Sequence, residues 1–152
     1  MKIVVASDHA GLCLKKEILA YLEARSDIKE VIDVGTYSEA RTHYPIYARK
    51  AAAKVLTGEV DKAVIMCGTG IGISIAANKI KGIRACACSE PYSAMFSALH
   101  NNTNVLAMGS RVVGVELAKM IVDHWLKTAY EGGRHQIRLD MISDLENNST
   151  IE

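Results

Sequence analysis

The amino-acid sequence predicts an α/β protein: a three-layer α/β/α sandwich around a doubly wound, five-stranded parallel sheet, with an extra C-terminal helix. Three observations carry this expectation. Apolar runs rich in β-branched residues alternate five times with segments of helical period. The runs are apolar at successive positions instead of alternating with polar residues, as in strands covered on both faces. Each is joined to the next by a stretch long enough for a helical crossover, and such crossovers are right-handed almost without exception. The 152 residues fit one domain, 1–152, with length enough for its own core.

Residues 3–7 read as the first strand. Leu14, Ile18 and Leu22, at i, i+4 and i+8, give a helix ending near Arg25. Residues 31–34 are a short second strand closed by Gly35. Tyr44 and Pro45 open the next helix, with proline in its first turn, and Gly58 stops it. Residues 63–67 form the third strand, followed by a glycine loop and a helix through Lys79. Residues 83–88 form the fourth, and Ser89, Glu90 and Pro91 supply the cap and first turn of a helix reaching about His100. Residues 105–108 form the fifth. Ala118, Ile121, Val122 and Trp125 mark the buried stripe of the last long helix. The order is Rossmann-like. In the segment 132–152, Ile137, Met141, Ile142 and Leu145 suggest one more helix, expected on a partner subunit, with packing on its own domain as the alternative.

The composition narrows the functions. Aromatic residues make up 5% of the chain, too few for the stacking platforms of single-stranded nucleic-acid binders. The net charge is +1 and each half is close to neutral, so no basic stripe awaits nucleic acid or an anionic membrane. No apolar run approaches a membrane span, and the first residues hold no signal-peptide core. Cys13, Cys67, Cys86 and Cys88 form no CxxC pair and no zinc-like spacing with histidine, so all four are expected as free thiols in a reducing cytoplasm. Cys86 and Cys88 share a face of their strand.

Open parallel sheets bind ligands at the carboxyl ends of their strands, where the winding reverses. In a sheet beginning 2-1-3 that point lies between the first and third strands. The loops there carry Asp8 and His9, and Cys67 followed by Gly68, Thr69, Gly70, Ile71 and Gly72. The glycine loop reads GxGxG, with Ile73 where the GxGxxG dinucleotide fingerprint wants glycine, which weighs against NAD. Its amides, at a helix start, suit a small anion; the alternative is a tight turn and nothing more. Cys67 is a small buried hydrophobe or, beside that helix start, a reactive thiolate. His43 and His124 read as structural. Arg134 and Arg138, four apart, share a helix face and form either a solvated pair or a phosphate clamp. Arg111 follows the fifth strand. Three arginines in reach of one crevice, against a net charge of +1, suggest one small phosphorylated substrate.

These residues, together with Tyr44 and Pro45, the Ala76 to Lys79 stretch, His100 and Asn101, and Gly132 to His135, closely resemble ribose-5-phosphate isomerase type B, a family that extends to allose-6-phosphate and galactose-6-phosphate isomerases. The resemblance covers essentially the whole chain in order. It implies a metal- and cofactor-free aldose–ketose isomerase of the pentose phosphate pathway, interconverting ribose 5-phosphate and ribulose 5-phosphate through a cis-enediolate. Cys67 would be the base and His100 the acid that opens the sugar ring. The amides at Gly68, Thr69, Gly70, Ile71 and Gly72, with the Thr69 hydroxyl, would hold the enediolate. Asp8, His9, Tyr44 and Asn101 would bind sugar and phosphate oxygens, and Arg111, Arg134 and Arg138 the phosphate. Asn101 and His100 would come from a neighbouring subunit, in a homodimer or a dimer of dimers. One branch of the family uses a glutamate where this chain has Ile73, so the chain resembles the cysteine branch. His43 and Asn102 stand where members often carry aspartate, and a histidine before Tyr-Pro is similar to the galactose-6-phosphate branch. The alternatives are therefore a six-carbon sugar phosphate and, more remotely, a non-catalytic nucleotide-binding module on the same fold.

Overall fold

The computed structural model describes residues 1–150. Its sheet has the order β2-β1-β3-β5-β4, every neighbouring pair parallel. The strands are β1 (Lys2–Ser7), β2 (Glu30–Asp33), β3 (Lys62–Cys67), β4 (Ala85–Ala87) and β5 (Val105–Gly109). Between and after them lie α1 (Leu12–Glu23), α2 (Tyr44–Leu56), α3 (Ile71–Ala77), α4 (Pro91–Asn101), α5 (Val115–Lys127) and α6 (Arg134–Glu146).

Successive strand residues point to opposite faces, and both faces are apolar. Ile3, Val5, Val64, Met66, Leu106 and Met108 pack with α1, α4 and α5. Val4, Ala6, Ala63, Ile65, Val105 and Ala107 pack with α2 and α3. Trp125, fully buried under the first face, keeps its indole N–H satisfied by donating to Thr103 Oγ1 at 2.8 Å. Cys86 and Cys88 join this same face, as their spacing predicts, and all four cysteines are free.

Three departures have local causes. α3 stops at Ala77, short of Lys79, because the Asn78 side chain turns to the backbone of Ala85, accepting from its N–H at 2.7 Å and donating to its carbonyl at 2.8 Å. β4 is three residues instead of 83–88, since Ile83 bonds back to Ile80 in a turn through Gly82, at φ +84°. β4 pairs only with β5 and, like the other edge strand β2, is half-covered rather than fully buried. The α4 cap falls on Glu90, whose carboxylate accepts the Ser93 N–H at 2.8 Å.

The segment after Gly133 forms α6 as the spacing predicts. On its own chain α6 buries only His135 and Leu139, while Ile137 and Leu145 stay exposed. Residues 151–152 of the 132–152 segment lie outside the described residues. Among the described residues no helix is long and apolar enough to cross a membrane.

Candidate active site

The loops after β1, β3 and β5 converge at the carboxyl edge of the sheet, and glycine lets them touch. A Cβ on Gly11 would sit 2.6 Å from the Met66 carbonyl oxygen, and one on Gly109 would sit 2.6 Å from the Thr69 backbone. At Gly70 it would meet the Met108 carbonyl carbon at 2.8 Å, and its φ of +78° favours glycine in any case. Cys67 closes β3 with its sulfur buried, accepting the Gly70 N–H at 3.1 Å. Thr69 Oγ1 accepts the Ile71 N–H at 3.3 Å. Two amides of the glycine loop are thus engaged inside the protein, so its anion-binding face is narrower than the sequence suggests.

The neighbouring side chains follow from these loops. Arg111 donates its backbone N–H to Gly68 O at 3.0 Å, and its side chain lies across Gly68, with Nη1 3.6 Å from where a Cβ would stand. The Tyr44 ring, at the start of α2, lies against Gly72, its Cζ 2.9 Å from the same kind of point. Asp8 is buried and accepts the Gly11 N–H at 3.0 Å, holding the short turn that leads into α1. His9 Nδ1 accepts the Thr42 N–H at 3.3 Å, which puts the ring proton on Nε2 and leaves it free to donate.

A second cluster gathers the remaining candidates. His100 and Asn101 occupy the last turn of α4. The His100 ring stacks on that of His135, with centroids 4.1 Å apart and planes 11° from parallel, and meets Phe96 edge-on at 4.8 Å. Glu131 Oε2 lies 3.7 Å from His100 Nε2 and 3.4 Å from His135 Nε2. Arg134 Nε and Arg138 Nη1 each approach a ring nitrogen of His135 at 3.5 Å. Burial, with His100, Arg134 and Arg138 close by, holds His135 below the ordinary imidazole range despite Glu131. The sequence reading missed Glu131, and it named His135 only within the Gly132 to His135 stretch, with no role of its own. Their spacing across Gly132 and Gly133 is unremarkable, and only the stack on His100, 35 positions away, reveals them.

The two clusters sit at opposite edges of the sheet. Cys67 ends β3, at the carboxyl edge. α4 starts from the carboxyl end of β4 and runs back, so His100 lies near the amino edge, where Asn104 accepts the N–H of Ala63 at the beginning of β3. Eleven helical residues rise about 16 Å, which sets the scale of the separation. Asp8, His9, Tyr44, Cys67, the glycine loop and Arg111 form one group; His100, Asn101, Arg134 and Arg138 belong to the other.

Among the described residues, one trio of potential metal ligands comes together: His100, Glu131 and His135, with ligand atoms within 4.8 Å of one another. Imidazole lone pairs lie in the ring plane, and two rings stacked 11° from parallel cannot aim theirs at a common point. The trio is arranged as a stack with a carboxylate at its edge.

Comparison with known proteins places this architecture. The Ribose/Galactose Isomerase family model matches residues 3–142. Ribose-5-phosphate isomerase B of Escherichia coli is 61% identical over 145 residues, which are 95% of this chain and 96% of that protein. A ribose-5-phosphate isomerase B from Clostridium thermocellum superposes with a TM-score of 0.95 at 49% identity, covering 97% of this chain and 99% of the other. A Mycoplasma genitalium ribose-5-phosphate isomerase B, solved with bound ribulose-5-phosphate, gives 0.90 at 39%, covering 97% of each. The match runs through both clusters and the strands between them, and the chain therefore belongs to the ribose/galactose isomerase family and is an isomerase.

Proposed function

We propose that the protein interconverts ribose 5-phosphate and ribulose 5-phosphate, acting as a single isomerase domain, 1–152, in the cytoplasm. The observation that carries this reading is the 61% identity to an enzyme of that name over nearly the full length of both chains. His100 protonates the ring oxygen of the furanose, and the sugar opens to its aldehyde. The Cys67 thiolate then takes the proton from C2 and returns it to C1. Meanwhile the C1 carbonyl oxygen gains a proton and the C2 hydroxyl loses one. The enediolate formed on the way is held by the free amides of the glycine loop and the Thr69 hydroxyl, an oxyanion hole that is often the largest catalytic contribution. Asp8, His9, Tyr44 and Asn101 hold sugar and phosphate oxygens. Arg111, Arg134 and Arg138 hold the phosphate, for which guanidinium geometry is well suited.

The separation of Cys67 from His100 within one chain supports a shared site. In a two-fold dimer the His100 edge of one copy faces the Cys67 edge of the other, and the symmetry makes two such sites. The exposed apolar residues Ile137, Ile142 and Leu145 on α6 offer part of the dimer contact.

Proton exchange tests the chemistry. Incubation with ribose 5-phosphate in deuterated water is expected to place label at C1 of the product or C2 of recovered substrate. Complete retention of the C2 hydrogen, together with full turnover in Cys67→Ala, would refute an enediolate route through this thiol. Galactose 6-phosphate and allose 6-phosphate assayed beside it test the six-carbon alternative that the family's breadth keeps open.

A further inference from the structure

The His100 ring is held on two sides by groups for which the mechanism has no use. Phe96, one turn earlier on α4, meets it edge-on, and His135 of α6 covers its face at 4.1 Å. His135 is itself buried, at 6% exposed, and carries Leu139 beside it on the buried stripe of α6. The platform is therefore anchored, whereas His100 is only partly covered and free to meet a ligand. Glu131 touches the edges of both rings and is tied to α4 by its own N–H, which donates to Leu99 O at 3.0 Å. An imidazole clamped on one face, one edge and one rim keeps a single plane.

We propose that His135 is a positioning residue, a flat platform that fixes the plane of His100 for protonating the ring oxygen of a closed sugar. The proposal rests on the ring-opening reading of His100. In that step the imidazolium gives its proton to the ring oxygen, which keeps the electron pair of the breaking C1–O bond. The anomeric hydroxyl releases its proton to water as C1 becomes the aldehyde, and His100 regains a proton from solvent. The stack therefore serves only substrates that arrive as rings. Ribulose 5-phosphate is always open, because the hydroxyl that would close a five-membered ring on its ketone carries the phosphate. Its exchange at C1 depends on Cys67 and the glycine loop and bypasses His100.

The two substrates separate positioning from a general structural role. His135→Ala should lower kcat on ribose 5-phosphate by roughly 10- to 100-fold, the scale of a misplaced catalytic group. Exchange at C1 of ribulose 5-phosphate should stay within about two-fold of wild type. His135→Phe restores a flat ring without ring nitrogens and should recover most of the lost kcat. Equal losses in both assays would mean that His135 supports the fold or the neighbouring arginines, and would overturn the proposal. Failure of His135→Phe to rescue, in a protein that melts like wild type, would overturn it by showing that the imidazole nitrogens matter and the flat surface does not. His100→Asn is assayed alongside. If it is slow on ribose 5-phosphate while His135→Ala is not, the platform alone is refuted. If His100→Asn keeps full turnover, the ring-opening role falls and the platform falls with it.

Discussion

The Gly70 amide donates to the sulfur of Cys67 at 3.1 Å, across a turn that only glycine can make at that position. This contact ties the proposed base to the loop proposed to hold the enediolate, so in this account base and anion hole move as one unit. Cys67→Ala should reduce isomerisation and solvent exchange together by about 10²- to 10⁴-fold, the usual cost of removing a general base. The melting temperature should change little, since a small side chain replaces another of similar size. Full activity in this variant would refute the assignment of the base.

Gly109→Ala tests the same unit sterically. The new methyl would stand 2.6 Å from the Thr69 backbone, with no flexible side chain to give way. The glycine loop must shift, at a cost of about 1–3 kcal/mol in stability for such overpacking. Turnover should fall at least tenfold, because the displaced amides would no longer meet the proposed enediolate. A variant with normal melting and normal kcat would show that the loop tolerates movement.

Arg138→Ala should raise KM for the phosphorylated sugar more than it lowers kcat. A phosphate remote from the reacting carbons contributes mainly uniform binding, and its loss appears in KM. An unchanged KM would leave Arg138 as a solvated neighbour of His135.

Activity should withstand exhaustive chelation. The enediolate charge is assigned to backbone amides and a hydroxyl, and among the described residues the one trio of ligating side chains has its two imidazoles stacked nearly parallel. Loss of turnover in EDTA, restored by a divalent ion, would contradict that assignment.

Much of this was legible in the sequence because the fold depends on period and punctuation. Apolar runs at 3–7, 63–67 and 105–108 can be buried on both faces only inside a parallel sheet, and they are its central strands β1, β3 and β5. The edge strand β4 was overestimated because apolar residues near it, such as Ile83, are buried in the turn that leads to it. Asn78 ended α3 early through contacts with Ala85, seven residues on, which no local pattern announces. The site was legible where it is contiguous, as in Cys67 and the glycine loop. The stack of His135 on His100 joins α6 to α4 and exists only in three dimensions. Strand–helix alternation already implies that His100, at the far end of a helix after a parallel strand, lies at the opposite edge from Cys67.

The shared site is the central claim, and subunit mixing measures it directly. Homodimers of Cys67→Ala and of His100→Ala should each be nearly inactive. After equal mixing and exchange, half the dimers are hybrids. Each hybrid puts both lesions in one site and leaves the other intact. Recovered activity should therefore approach roughly a quarter of wild type, from half the dimers with half their sites working. If both residues served a site within one chain, every site in the hybrid would carry one lesion. No recovery after verified exchange would contradict the account, whatever the activity of the parent enzyme.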